Sequence, residues 1–96
     1  MILVSHDREY ITPFNTIWIT KYYHKRTEHY FWDICIVDKT REDSVITLGT
    51  YALEENAKKV MNDIIKALHY RNDMFYMPIE DVCGNLKYEE LYSNDN

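Results

Sequence analysis

Between Val45 and Leu68 a strand-like segment passes through a glycine into the one helix that this chain clearly encodes. Val45-Ile46-Thr47-Leu48 is β-branched and apolar, and Gly49-Thr50-Tyr51 turns. From Leu53 the apolar residues fall at helical spacing: Ala57, Val60, Met61, Ile64 and Leu68. A helix with one apolar stripe needs a surface to cover, and the strand-like runs before it supply one. The pattern predicts a single α+β domain: an antiparallel sheet of four or five strands with one long helix packed on one face.

The totals agree with one folded unit. A length of 96 residues leaves room for one core. A hydrophobic content of 46% with only two Gly and two Pro is that of a globular chain. Sixteen acidic against eleven basic residues give a formal charge of −5, which disfavours bulk duplex DNA and anionic membranes as partners. Cys35 and Cys83 form no CxxC or zinc spacing and read as reduced thiols. Met1-Ile2-Leu3-Val4 is too short and lacks the basic flank of a secretory signal, and no run approaches the roughly 20 apolar residues of a spanning helix. The expectation is a cytoplasmic protein with no membrane partner.

Met1 to Ser5 reads as a short strand, His6-Asp7-Arg8 as a turn, and Tyr10-Ile11-Thr12 as a second short strand ended by Pro13, with Phe14-Asn15 connecting onward. Thr16 to Lys25 alternates, with Ile17, Ile19 and Lys21 on one face and Trp18, Thr20 and Tyr22 on the other. Lys25-Arg26-Thr27-Glu28 is polar enough for a turn. In His29 to Asp38, Tyr30, Trp32, Ile34 and Ile36 share one face, while Phe31, Asp33, Cys35 and Val37 share the other. Residues 38–43 make the next loop, and Ser44 to Thr50 returns to feed the helix. Glu54 and Glu55 suit the first helical turn, Ala52 is a poor N-cap so that either Thr50 serves or the cap is weak, and the helix is expected to close by Asn72-Asp73. Met74 to Met77 reads as a last strand or an extended segment before Pro78. The compact domain is expected over 1–81 and an acidic C-terminal tail, frayed or a short partner-binding helix, over 82–96.

No catalytic motif is present, and with glycine only at Gly49 and Gly84 there is no phosphate-cradling loop. His6, His24, His29 and His69 have no metal-ligand spacing. His29 and Asp33 lie about 13 Å apart along one strand face, beyond hydrogen-bond reach. Cys35 reads as a small buried hydrophobe. A non-enzyme without metal or cofactor is the expectation.

The informative surplus is aromatic. Trp18, Tyr22, Tyr23, Tyr30, Phe31, Trp32, Tyr70, Phe75 and Tyr76 exceed what one helix can cover on a two-faced sheet, so one face should expose Trp and Tyr as an interface. Around the hairpin turn, Lys21, His24, Lys25, Arg26 and His29 mix cations with Tyr22, Tyr23 and Tyr30. That combination suits a nucleotide or single-stranded nucleic acid, although a solvated hairpin tip has the same composition.

The run Leu48-Gly49-Thr50-Tyr51-Ala52-Leu53-Glu54-Glu55-Asn56-Ala57-Lys58-Lys59-Val60-Met61, followed by Phe75-Tyr76-Met77-Pro78, resembles a pattern in small proteins encoded by phages and prophages of Gram-positive bacteria. In those proteins a strand ends in Leu-Gly-x-Tyr, two acidic residues and an Ala-Lys pair open an amphipathic helix, and a Met-Pro follows. Ser5-His6-Asp7 through Ile17-Trp18-Ile19 is similar to their N-terminal hairpin. Ala52 departs from their usual Ser or Thr, and the residues after Asp81 look additional. The resemblance implies a counter-defence role, either by sequestering a nucleotide-derived immune signal of the host or by binding a defence protein directly. On the first alternative Tyr22, Tyr30 and Trp32 would stack on the base and Lys25, Arg26 and Arg71 would pair with phosphates, in a pocket between protomers of a homo-oligomer. On the second, a protein-binding inhibitor would use the acidic, Tyr-rich surface, including by mimicry of nucleic acid.

Overall fold

Three alternating runs between Ile17 and Tyr51 pair with their sequence neighbours, and the last of them carries one extra residue. The computed structural model describes residues 2–5, 11–13, 16–38, 42 and 44–88. Its elements are β1 (Ile2–Val4), β2 (Ile11–Pro13), β3 (Ile17–His24), β4 (His29–Asp38), β5 (Ser44–Tyr51), α1 (Glu54–His69), β6 (Met74–Tyr76), β7 (Ile79–Glu80) and β8 (Leu86–Lys87). The class is α+β, as the pattern predicts.

β3, β4 and β5 form an antiparallel sheet with β4 at its centre. Across β3 and β4, Ile17 faces Ile36, Ile19 faces Ile34, Lys21 faces Trp32 and Tyr23 faces Tyr30, while Trp18, Thr20 and Tyr22 face Cys35, Asp33 and Phe31 on the other side. α1 lies on the first of these faces. Ala57, Val60 and Ile64 meet Ile34, Ile36, Leu48 and Tyr51, and Leu3 and Met77 complete the core. Each large side chain fully buried there contributes on the order of 1.5–3 kcal/mol before conformational entropy is subtracted.

The register of β4 against β5 slips at Ile34/Cys35, where Ile34 faces Gly49 and Cys35 faces Thr47, leaving Leu48 as the extra residue of a bulge. Leu48 is driven into the core, and Gly49 sits where a Cβ would come within 2.9 Å of the Tyr51 hydroxyl. The glycine is therefore required by the close approach of the Tyr51 ring, whose hydroxyl donates to the Pro78 carbonyl at 2.7 Å.

α1 differs from expectation at both ends. Its N-cap, Leu53, has extended backbone and no side chain to offer. The cap comes instead from β7: the Ala52 and Leu53 N–H groups donate to the Glu80 carboxylate at 2.7 and 3.3 Å. At the other end the helix stops at His69, four residues before Asp73. Arg71 adopts φ 59°, its N–H donating to Leu68 O and that of Asn72 to Ala67 O, which is the Schellman closure with arginine in the place glycine usually takes. The buried stripe also shifts. Ala67 rather than Leu68 continues the line from Val60 and Ile64, so Leu68 remains 43% exposed.

The strands are apportioned differently from one four- or five-stranded sheet. β2, β1 and β6 make a second three-stranded sheet, and β1 pairs with β6 in parallel. β7 and β8 form a separate hairpin. Its turn is tied by the Asp81 carboxylate, which accepts from the Cys83 and Asn85 N–H groups at 2.9 and 2.8 Å, and these hydrogen bonds hold the Asp81 carboxyl below its usual range. The boundary expected at 81 thus falls inside a folded unit. Leu86 packs on the core, and the Tyr88 hydroxyl donates to the Asp63 carboxylate on α1. The expected turn at 6–8, the connection at 14–15, most of the 38–43 loop and the tail from 89 lie outside the described residues. Among the described residues no helix is long and apolar enough to cross a membrane.

Candidate functional site

The β3–β4 hairpin outruns the core. Along the helix-facing side, Ile34 and Ile36 are fully buried, Trp32 is partly covered, and Tyr23 and Tyr30 are 48% and 50% exposed. The helix reaches only the base of the hairpin, so the aromatic residues nearer the turn are left to one another. Lys21, directly opposite Trp32, places its ammonium 4.3 Å from the centre of the Tyr30 ring and 5.8 Å from that of Trp32. Tyr23 and Tyr30 pack edge to face at 5.1 Å. A cation held over two rings in this way is a recognised attractive arrangement, worth about 0.5–1 kcal/mol where exposed.

The hairpin closes through a tight polar turn. The Glu28 N–H donates to the His24 carbonyl at 2.8 Å with Glu28 at φ 58°, and the Thr27 N–H donates to His24 Nδ1 at 3.3 Å. Lys25 and Arg26 are thereby presented to solvent at the extreme end of the hairpin.

The opposite face carries a second aromatic group. Tyr22 and His24 both pack on Phe31 with ring centres 6.0 Å apart, and the Trp18 indole N–H donates to Thr20 Oγ1 at 2.8 Å. Cys35 is buried there, 3.8 Å from Thr47 Oγ1. Asp33 sits among them with Oδ1 buried and without a hydrogen-bond partner among the described residues. Burial raises its carboxyl above the usual carboxylate range, opposed by a hydrogen bond from Thr50. Desolvation, reinforced by the Asp33 charge, likewise raises the Tyr22 phenol.

Of the six residues singled out from the sequence, the fold brings Tyr30 and Trp32 together, two positions apart on one face and joined by Lys21. Lys25 and Arg26 lie on the adjoining turn. Tyr22 is on the other side of the sheet, where it cannot share a stacking surface with Tyr30. Arg71 belongs to a different element and closes the helix. Lys21 and Tyr23 lie on the face with Tyr30 and Trp32 instead. The signal for them was cross-strand: once the turn is read at 25–28, counting outward sets Lys21 against Trp32 and Tyr23 against Tyr30.

The arrangement offers half-exposed rings with flanking cations. Comparison of the chain with protein-family models, with curated proteins and with solved structures finds no match.

Proposed function

We propose that this chain is a non-enzymatic binding protein that captures a nucleotide-type ligand on the helix-facing side of the β3–β4 hairpin. In line with its resemblance to phage-encoded proteins, capture would withhold a nucleotide-derived immune signal from the bacterial host. The observation that supports this is the Lys21 ammonium 4.3 Å over Tyr30 and 5.8 Å from Trp32, with Tyr23 alongside. A base stacked on such rings gains about 1–3 kcal/mol, and Lys21, Lys25 and Arg26 are available for phosphates. The net charge of −5 works with this reading: a long polyanion meets repulsion from the rest of the surface, whereas a mononucleotide-sized ligand touches only the basic tip.

Titration calorimetry of the full chain against a panel of cyclic and ADP-ribose-type nucleotides tests the reading. Binding that disappears in both Tyr30→Ala and Lys21→Ala is expected. Absence of binding to every member of the panel sinks it. A second reading, a protein-binding inhibitor of a host defence effector, is favoured by the sheet face that α1 leaves uncovered, with Trp18, Tyr22, Phe31 and the 61% exposed Val45. Recovery of a stoichiometric protein partner from bacterial lysate, with no nucleotide bound, would select it.

A further inference from the structure

β3 is one of the two edge strands of its sheet, hydrogen-bonded to β4 alone among the described residues. Its hydrogen-bond phase can be read from its ends. The Val37 N–H donates to the Thr16 carbonyl at 3.4 Å, and the His24 carbonyl is turned inward to accept from Glu28. In an antiparallel ladder the residues that exchange both bonds alternate with those that exchange none. Even-numbered residues of β3 therefore bond to β4, and the N–H and C=O groups of Ile17, Ile19, Lys21 and Tyr23 point out of the open edge. An eight-residue edge whose outward donors and acceptors meet no partner among the described residues is a template for another strand.

We propose that the occupant of this edge is β3 of a second copy, paired antiparallel about a two-fold axis so that the two sheets become one. The phase narrows the registers, because outward groups must meet outward groups and odd residues must face odd residues. The register that overlaps all eight residues sets odd against even and is excluded. Two registers overlap seven residues of the strand. One sets Lys21 against its own copy, and like charges directly opposite are destabilising. The other centres on Thr20 against the partner's Thr20, with Trp18 beside the partner's Tyr22, Ile19 beside the partner's Lys21 and Ile17 beside the partner's Tyr23. This second register contains a Thr–Thr pair and two aromatic pairs, which are favourable cross-strand combinations, and sets no like charges directly opposite each other. Trp18 and Tyr22 from both copies then form one aromatic band on the face that α1 leaves uncovered. A closed two-fold contact uses the same strand on both sides, so pairing through β3 stops at two copies. The inference does not rest on nucleotide capture.

Disulfide trapping of the full chain in a Cys83→Ser background tests both partner and register. Thr20 lies at the axis in a non-hydrogen-bonded pair, where opposed side chains are closest. Thr20→Cys should cross-link into a covalent dimer under mild oxidation, and Lys21→Cys should not. Sedimentation of the unmodified chain should give the dimer mass, and Thr20→Lys, which sets two ammonium groups at the axis, should give the monomer with an unchanged circular dichroism spectrum. A chain that sediments as a monomer at tens of micromolar overturns the proposal, as does cross-linking through Lys21→Cys in place of Thr20→Cys. Should Thr20→Lys fail to fold, the pair of cysteine variants still decides.

Discussion

The Asn56 amide donates to the Glu80 carboxylate at 2.6 Å across 24 residues of sequence, and the same amide donates to the Gly84 carbonyl at 2.8 Å. Asn56 is a polar residue on the buried side of α1, a position that costs free energy unless its hydrogen bonds are made. Here they are made by the β7–β8 hairpin, and the other Glu80 oxygen meanwhile receives the Ala52 N–H at the start of the helix. One carboxylate thus serves as both the missing N-cap and the anchor of the hairpin.

Glu80→Ala is therefore expected to lower stability by about 2–3 kcal/mol, combining a lost cap with the stranding of a half-buried amide. The midpoint of urea unfolding should fall while its denaturant slope stays the same. A loss below 0.5 kcal/mol, a threshold of order a surface substitution, would show that Glu80 caps nothing.

Gly49→Ala should cost about 1–3 kcal/mol by overpacking. The new methyl would lie 2.9 Å from the Tyr51 hydroxyl, 3.1 Å from its ring and 3.2 Å from Met77 Cε, and the buried Tyr51 ring is held by its bond to Pro78. Tyr51→Phe alone should cost about 1 kcal/mol through the lost hydrogen bond. Because the hydroxyl is the nearest obstacle, the double variant should be more stable than the sum of the two losses predicts, which a double-mutant cycle by thermal melting would measure.

At the C-terminal end of the helix, Arg71→Gly should raise stability by about 1 kcal/mol, since glycine adopts φ 59° without the penalty that a side chain incurs in the left-handed region. Equal melting temperatures for the two proteins would contradict the left-handed closure. If nucleotide affinity falls at the same time, Arg71 reaches the ligand as well as closing the helix.

Asp33 carries a pH dependence of defined sign. Burial raises its folded carboxyl above the ordinary value of 3.8, so the folded chain favours the protonated form. The stability it contributes is fully present below pH 3.8 and is lost as the pH rises through the raised folded value. Asp33→Asn, which keeps the shape without the charge, should be more stable than the parent at pH 7, and the difference should vanish below pH 3.8. Chemical unfolding of both proteins across that range checks it, and a gain that grows toward acid would reverse the assignment.

What the sequence determined by itself lies in its short periods. Alternation from Thr16 to Asp38 with a polar break at 25–28 is enough to pair β3 with β4, and the spacing of Ala57, Val60 and Ile64 is enough to make α1 and choose its inner side. Only the tertiary structure decided that β1 lies parallel to β6 and that Glu80, from the β7–β8 hairpin, caps the helix. The first group follows from contacts within a hairpin or a few helical turns, where neighbouring side chains impose the geometry. The second depends on backbone groups and carboxylates brought together from distant parts of the chain, and no local pattern records which of several acceptable partners the closed core brings within 3 Å of another, the distance at which a hydrogen bond forms.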